Sequence, residues 1–132
     1  MNTPEPATIL LVDDDETGRL LVKLFLEHAG FRVFEADSAE SGLDLCSRQR
    51  FDLCLIDGML PRMDGFQMVR SLRAVPEYRD VPLVILSGLD GAQWPSHAMD
   101  AGATDFILKS NDWTGLVESA RKLTATPASG AS

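Results

Sequence analysis

The segment LLVDDDETG, residues 10–18, runs an apolar stretch straight into three aspartates and a glutamate. Adjacent carboxylates repel and raise one another's pKa, so this crowding costs free energy unless a cation sits beside them. Three more residues with chemical potential follow short apolar runs in the same way: Asp57 after DLCLI, Ser87 after VPLVIL and Lys109 after DFIL. Carboxylates around a lone ammonium suit a hard divalent cation, and Mg²⁺ typically takes one or two carboxylates, several waters and phosphate oxygens. Asp13 and Asp14 are placed to point into such a site, and Asp15 to begin the helix that follows. Asp57 then serves as a ligand or as a nucleophile. A carboxylate attacks phosphorus well only when the phosphoryl oxygens are neutralised, here by the metal on one side and Lys109 on the other. Ser87 is placed to hydrogen-bond those oxygens afterwards.

These residues form one site only if the fold brings them to one edge. Short apolar runs alternate with longer helical patterns, the mark of a parallel sheet with helices on both faces. The predicted strands are residues 8–12, 32–36, 52–57, 81–87 and 105–109. Between them, Leu21, Val22, Phe25, Leu26 and Ala29 predict the buried stripe of a first helix that stops at Gly30. Asp37 or Ser38 caps a second helix, with Glu40 placed to complete a box from Asp37, and Asp64 with Gln67 predicts a capping box for the third. Pro95 falls where the fourth helix should run, so that helix is expected to start late, near Pro95, or to be distorted. Trp113, Leu116, Val117, Ala120 and Leu123 give the stripe of the last helix, with Ser110 or Asn111 as cap. Ligands of an open parallel sheet bind outside the carboxyl ends of its strands, which is where the acidic run, Asp57, Ser87 and Lys109 all fall.

The composition narrows the functions open to this site. The chain has 132 residues, 45% hydrophobic and 24% charged, enough for one domain. Its net charge of −8 disfavours direct nucleic-acid binding, which needs clustered Lys and Arg. Apolar runs such as ILLV and LVIL are short, and MNTPEPAT lacks the flanks of a signal peptide, so no membrane span is expected and the chain is assigned to the cytoplasm. Cys46 and Cys54 are expected as reduced, buried thiols. His28 and His97 sit away from the strand edge and carry no chemistry in this reading.

Taken together, ILLVDDDETGR, DLCLIDGMLPRMDGF, PLVILSG and AGATDFILK resemble the receiver domain of two-component response regulators, of the single-domain chemotaxis type, over about residues 7–124. The resemblance implies a flavodoxin-like (βα)5 doubly wound parallel sheet with strand order 2-1-3-4-5. It implies Mg²⁺ dependence and phosphorylation of Asp57 by a histidine kinase or histidine phosphotransfer protein, with no enzymatic activity beyond self-phosphorylation and autodephosphorylation. It makes Asp13, Asp14 and Asp57 the metal-binding carboxylates, with the Met59 carbonyl completing the shell. Lys109 becomes the phosphate-binding lysine, and Ser87 and Phe106 the switch pair. A downstream protein or linked output domain would read the face made by the fourth helix, fifth strand and last helix, where Trp94 and Trp113 place large apolar groups. Residues 1–6 are expected as a flexible N-terminus and 125–132 as a flexible tail or linker.

The sequence departs from the family at three places. Ser110 stands where receivers commonly carry a proline after the lysine, joined by a cis bond that costs a non-proline residue roughly 3 kcal/mol, so the last loop is expected to differ. The other two are Pro95 and Phe106, which lacks the hydroxyl of a Tyr or Thr. Three rival readings remain. DDDET also fits the D-x-D-x-T motif of haloacid-dehalogenase-like phosphatases, with Asp13 as nucleophile, but only Asp112 follows Lys109 where that family needs a further acidic pair. A calcium loop counted from Asp13 places Leu24 where a bidentate Glu is required. A receiver-like binding module that is never phosphorylated is the third.

Overall fold

Five runs of four or five residues, dominated by Leu, Ile and Val, are too short for stable helices and form a sheet whose central strands are covered on both faces. The computed structural model describes residues 5–88, 91–109 and 113–125. The strands are β1 (Thr8–Val12), β2 (Arg32–Ala36), β3 (Leu53–Asp57), β4 (Leu83–Ser87) and β5 (Asp105–Leu108). All pairings are parallel, in the order β2-β1-β3-β4-β5, the predicted flavodoxin-like arrangement. The connecting helices are α1 (Glu16–His28), α2 (Ala39–Arg48), α3 (Gly65–Arg73), α4 (Gln93–Ala101) and α5 (Thr114–Ala125), with a 3₁₀ turn at Pro76–Tyr78.

Strand alternation divides the core in two. Leu10, Val12, Cys54, Ile56, Leu83 and Ile85 face Cys46, Phe66, Val69, Leu72 and Ala98. Ile9, Leu11, Leu53, Leu55, Val84 and Leu86 face Val22 and Leu26 of α1 and Leu116 and Ala120 of α5. Trp113 packs against this second cluster, which accounts for its place in the helical stripe. Cys46 and Cys54 are buried free thiols, as expected.

Several local expectations are corrected. The α1 stripe is narrower than its periodicity suggested: Val22 and Leu26 are buried, while Leu21 and Phe25 are 46% and 47% exposed, as are Leu20 and Leu24 beside them at 49% and 53%. A helix lying on a sheet needs little more than one i, i+4 row to make its contact. Ser38, not Asp37, caps α2, because Ser38 has extended backbone immediately before the first helical residue and its hydroxyl accepts the Ser41 N–H at 3.0 Å. The Asp64–Gln67 capping box forms as expected. α4 starts near Pro95 as expected, at Gln93 two residues ahead of it. Pro95 thus occupies the first turn, where N–H groups have no intrahelical partner, and it costs no hydrogen bond. Strands β3 and β4 begin one and two residues later than predicted, and β5 ends at Leu108. Ser110 and Asn111, the expected caps of α5, lie outside the described residues, as do most of both expected flexible ends.

One side chain ties the ends of several elements together. Arg73, the last residue of α3, donates to the carbonyls of Gly102 (2.7 Å), Tyr78 (2.7 Å), Arg79 (3.1 Å) and Val81 (2.7 Å) and to the Thr104 hydroxyl (3.0 Å). Gly102 ends α4 with φ 106°, and a Cβ there would stand 2.9 Å from Arg73 Cγ. Substitution Arg73→Ala is expected to cost about 2 kcal/mol by urea denaturation, since partly buried carbonyls lose charged donors that water only partly replaces. A loss below about 0.5 kcal/mol would show that solvent satisfies those carbonyls equally well.

Candidate functional site

Four adjacent strands, β1, β3, β4 and β5, each deliver one chemical group to the same carboxyl-terminal edge of the sheet. Val12 is the last residue of β1 paired with β2, opposite Ala36, and Asp13 follows it. Asp57 ends β3 beside Leu86, and Ser87 ends β4 beside Leu108, with Lys109 the next residue. Asp13 is 3% exposed, Asp57 6% and Ser87 fully buried. Asp14 is the exposed member of the acidic set. As the sequence predicted, Asp15 caps α1, its carboxylate accepting the Gly18 N–H at 3.1 Å.

The two buried carboxylates are held alike. Asp13 Oδ1 accepts the Asp15 N–H at 2.9 Å, and Asp57 Oδ1 accepts the Met59 N–H at 2.9 Å. Their remaining oxygens share one cation: Lys109 Nζ lies 3.0 Å from Asp13 Oδ2 and 3.1 Å from Asp57 Oδ2. Burial pushes the Asp57 carboxyl above its ordinary pKa, with the Asp13 charge adding to it, and the Met59 N–H and Lys109 only partly offset this. Burial works to lower the Lys109 pKa, but its hydrogen bonds and charge contacts with the two aspartates outweigh that, and the ammonium is held above its usual value.

The donor set fits a hard divalent ion. Oxygens of Asp13, Asp14 and Asp57 lie within 4.8 Å of one another. Three carboxylates against one ammonium leave two negative charges uncompensated, which matches a divalent cation, and all the donors are oxygen. Phe106 sits on β5 opposite Ile85, half-buried against the α2–α3–α4 side of the core.

Two contributors escaped the sequence reading. Gly65, the first residue of α3, packs against the Asp57 backbone and donates its N–H to the Gly58 carbonyl at 3.2 Å. Arg19 reaches back from α1 to the Asp13 carbonyl at 2.6 Å. The glycine was visible within RMDGF, but its close approach is a property of the assembled fold. The arginine carried no local signal beyond its place one turn into α1.

Among the described residues, no helix is long and apolar enough to cross a membrane. The fold is similar to that of the chemotaxis protein CheY4 of Vibrio cholerae, with a TM-score of 0.85 and 26% identity, covering 89% of this chain and 98% of that one. A Francisella response regulator receiver domain gives a TM-score of 0.84 at 25% identity, covering 90% and 97%. In sequence the chain is 35% identical to the response regulator PleD of Caulobacter vibrioides over 118 residues, 89% of this chain and 26% of that one. It is also 35% identical to the response regulator MprA of Mycolicibacterium vanbaalenii over 104 residues, 79% of this chain and 44% of that one. The chain therefore spans less than half the length of these curated relatives. The family model for the response regulator receiver domain matches residues 9–121, a span that contains the whole acidic edge together with Ser87 and Lys109, and the chain belongs to that family, the receiver domains of two-component response regulators.

Proposed function

We propose that Asp57 accepts a phosphoryl group from a phosphohistidine of a histidine kinase or phosphotransfer protein, within a unit spanning about residues 7–124 in the cytoplasm. The observation that carries this reading is the pair of buried carboxylates bridged by Lys109 with Asp14 exposed beside them. Asp13, Asp14, Asp57 and the Met59 carbonyl would hold Mg²⁺, which supplies neutralisation of phosphoryl oxygens when bound. Asp57 Oδ attacks phosphorus, the N–P bond breaks, and its electron pair returns to the imidazole of the donor. Lys109 is within reach of the same carboxylate oxygens and stabilises charge on the transferring group. Ser87, one strand away, then donates its hydroxyl to the phosphoryl group.

The α4–β5–α5 face carries the output to a downstream protein or linked output domain. Trp94 in the first turn of α4 stacks on Phe66 with centroids 6.1 Å apart, so α4 is fastened to the α3 start that abuts Asp57. Phe106 supplies bulk without a hydroxyl at the partner end of the switch.

The test is mass spectrometry after treatment with acetyl phosphate, with and without Mg²⁺. One added phosphoryl group that maps to Asp57 and requires Mg²⁺ is the expected result. A phosphoryl group on Asp13 would establish the phosphatase-like alternative, and none under any condition would establish an unphosphorylated binding module.

A further inference from the structure

Asp13 and Asp14 are neighbours in sequence, so the directions of their carboxylates depend on the single peptide group that joins them. Rotating that peptide changes ψ of Asp13 and φ of Asp14 together. The ladder with β2 ends one residue earlier, at Val12 and Ala36, and only the Asp13 N–H still reaches it, donating to the Ala36 carbonyl at 3.1 Å. The Asp13 carbonyl, which belongs to the joining peptide, instead accepts Arg19 Nη1 at 2.6 Å. The same guanidinium donates through Nε to Glu35 Oε1 at 2.9 Å, and the other oxygen of Glu35 pairs with Lys23 Nζ at 3.0 Å. The Arg19 side chain is 14% exposed and that of Glu35 31%, so the contact is partly buried.

We propose that Arg19, braced by Glu35, is a positioning residue for the acidic pair: it fixes the Asp13–Asp14 peptide and thereby the geometry the two carboxylates present to a divalent cation. The inference rests on the metal-site reading above and extends it to residues that touch no metal. The planar fork of arginine suits the task because it holds two acceptors in fixed directions at once, which a lysine ammonium on a flexible stem does not. Glu35 fixes one prong and the Asp13 carbonyl takes the other. Outer-shell groups of this kind typically account for about 10–100-fold in metal affinity.

Metal selectivity separates positioning from general support of the fold. Mg²⁺ demands near-ideal octahedral geometry, whereas Ca²⁺ accepts variable ligand number and angle. Loosening the joining peptide therefore penalises Mg²⁺ more than Ca²⁺, while partial unfolding penalises both alike. The experiment titrates Mg²⁺ and Ca²⁺ calorimetrically into the parent chain and into Arg19→Met, Arg19→Lys and Glu35→Gln, with circular dichroism confirming the fold of each. Arg19→Met is expected to weaken Mg²⁺ by about tenfold and Ca²⁺ by less than about threefold. Arg19→Lys is expected to follow it in part, because charge is kept and the fork is lost, and Glu35→Gln to show the same trend more weakly. Equal losses for both ions, or unchanged Mg²⁺ affinity in Arg19→Met, would overturn the proposal while leaving the metal site standing. Should Arg19→Met fail to fold, Arg19→Lys and Glu35→Gln decide on the same criterion. A parent chain that binds no Mg²⁺ would instead remove the reading on which the proposal rests.

Discussion

Substitution Asp57→Asn is expected to abolish phosphoryl uptake and, in the absence of metal, to make the fold more stable. The first effect follows because an amide has no anionic oxygen to attack phosphorus. The second follows from the environment. Asp57 is 6% exposed, and an oxygen of Asp57 stands within 4.8 Å of oxygens of Asp13 and Asp14. Its pKa is raised by burial and by the Asp13 charge. A carboxyl whose folded pKa lies above its unfolded value contributes stability that is lost as pH rises through the folded pKa, so at neutral pH the ionised group weighs against the fold. Asparagine removes that charge and still offers an oxygen to the Met59 N–H, which now lies 2.9 Å from Asp57 Oδ1. Lys109 keeps its contact with Asp13 at 3.0 Å.

Removing a strained functional group of this kind commonly stabilises a protein by about 0.5–2 kcal/mol. In EDTA at neutral pH the midpoint of thermal unfolding should therefore rise by about 4 °C, using the slope expected for a domain of this size. Saturating Mg²⁺ should reverse the order: the parent gains about 2.7 kcal/mol at a hundredfold excess over Kd, and the variant, having lost a ligand, gains much less. A variant less stable than its parent in EDTA would show that the Lys109 ion pair outweighs the crowding and that Asp57 anchors the fold.

The sequence displays the crowded carboxylates but not all of what holds them, and the division has a physical cause. A strand buried on both faces must be apolar along its length, so TILLV gave the bounds of β1, and the aspartate that follows it marked the acidic edge. The capping box at Asp64 and Gln67 is equally local, since its two hydrogen bonds span three residues. Leu21 and Phe25 misled because periodicity reveals which side chains are apolar, not how wide a strip the sheet will cover. Nor could sequence choose between Asp37 and Ser38 as the cap, because both are good acceptors and the choice depends on where β2 releases the chain. Arg19 and Gly65 stayed hidden for a different reason. One acts through a carbonyl six residues back and across a turn, the other through the absence of a side chain where two backbones meet.

That absence sets the second large effect. Gly65 opens α3, and a Cβ built on it would fall inside the van der Waals sphere of the Asp57 carbonyl oxygen, with the Asp57 carbonyl carbon and Gly58 Cα each only 2.9 Å away. All three are backbone atoms, so no rotamer change relieves the clash, and α3 must back away from the end of β3. Gly65→Ala is therefore expected to cost about 3 kcal/mol in urea denaturation, at the upper end of the usual penalty for overpacking. Because the displaced peptide carries Asp57, the rate of phosphorylation by acetyl phosphate should fall by about a hundredfold, the scale expected for a misplacement of about 1 Å at a reacting group. Gly115→Ala supplies the contrast. It sits in the first turn of α5 with nothing within 4 Å of its Cβ position, and there alanine should stabilise by about 0.5–1 kcal/mol through helix propensity, with phosphorylation unchanged. If Gly65→Ala unfolds within about 1 kcal/mol of the parent and is phosphorylated at the parental rate, α3 is free to shift without carrying Asp57, and the close packing of the two backbones has no part in placing that carboxylate.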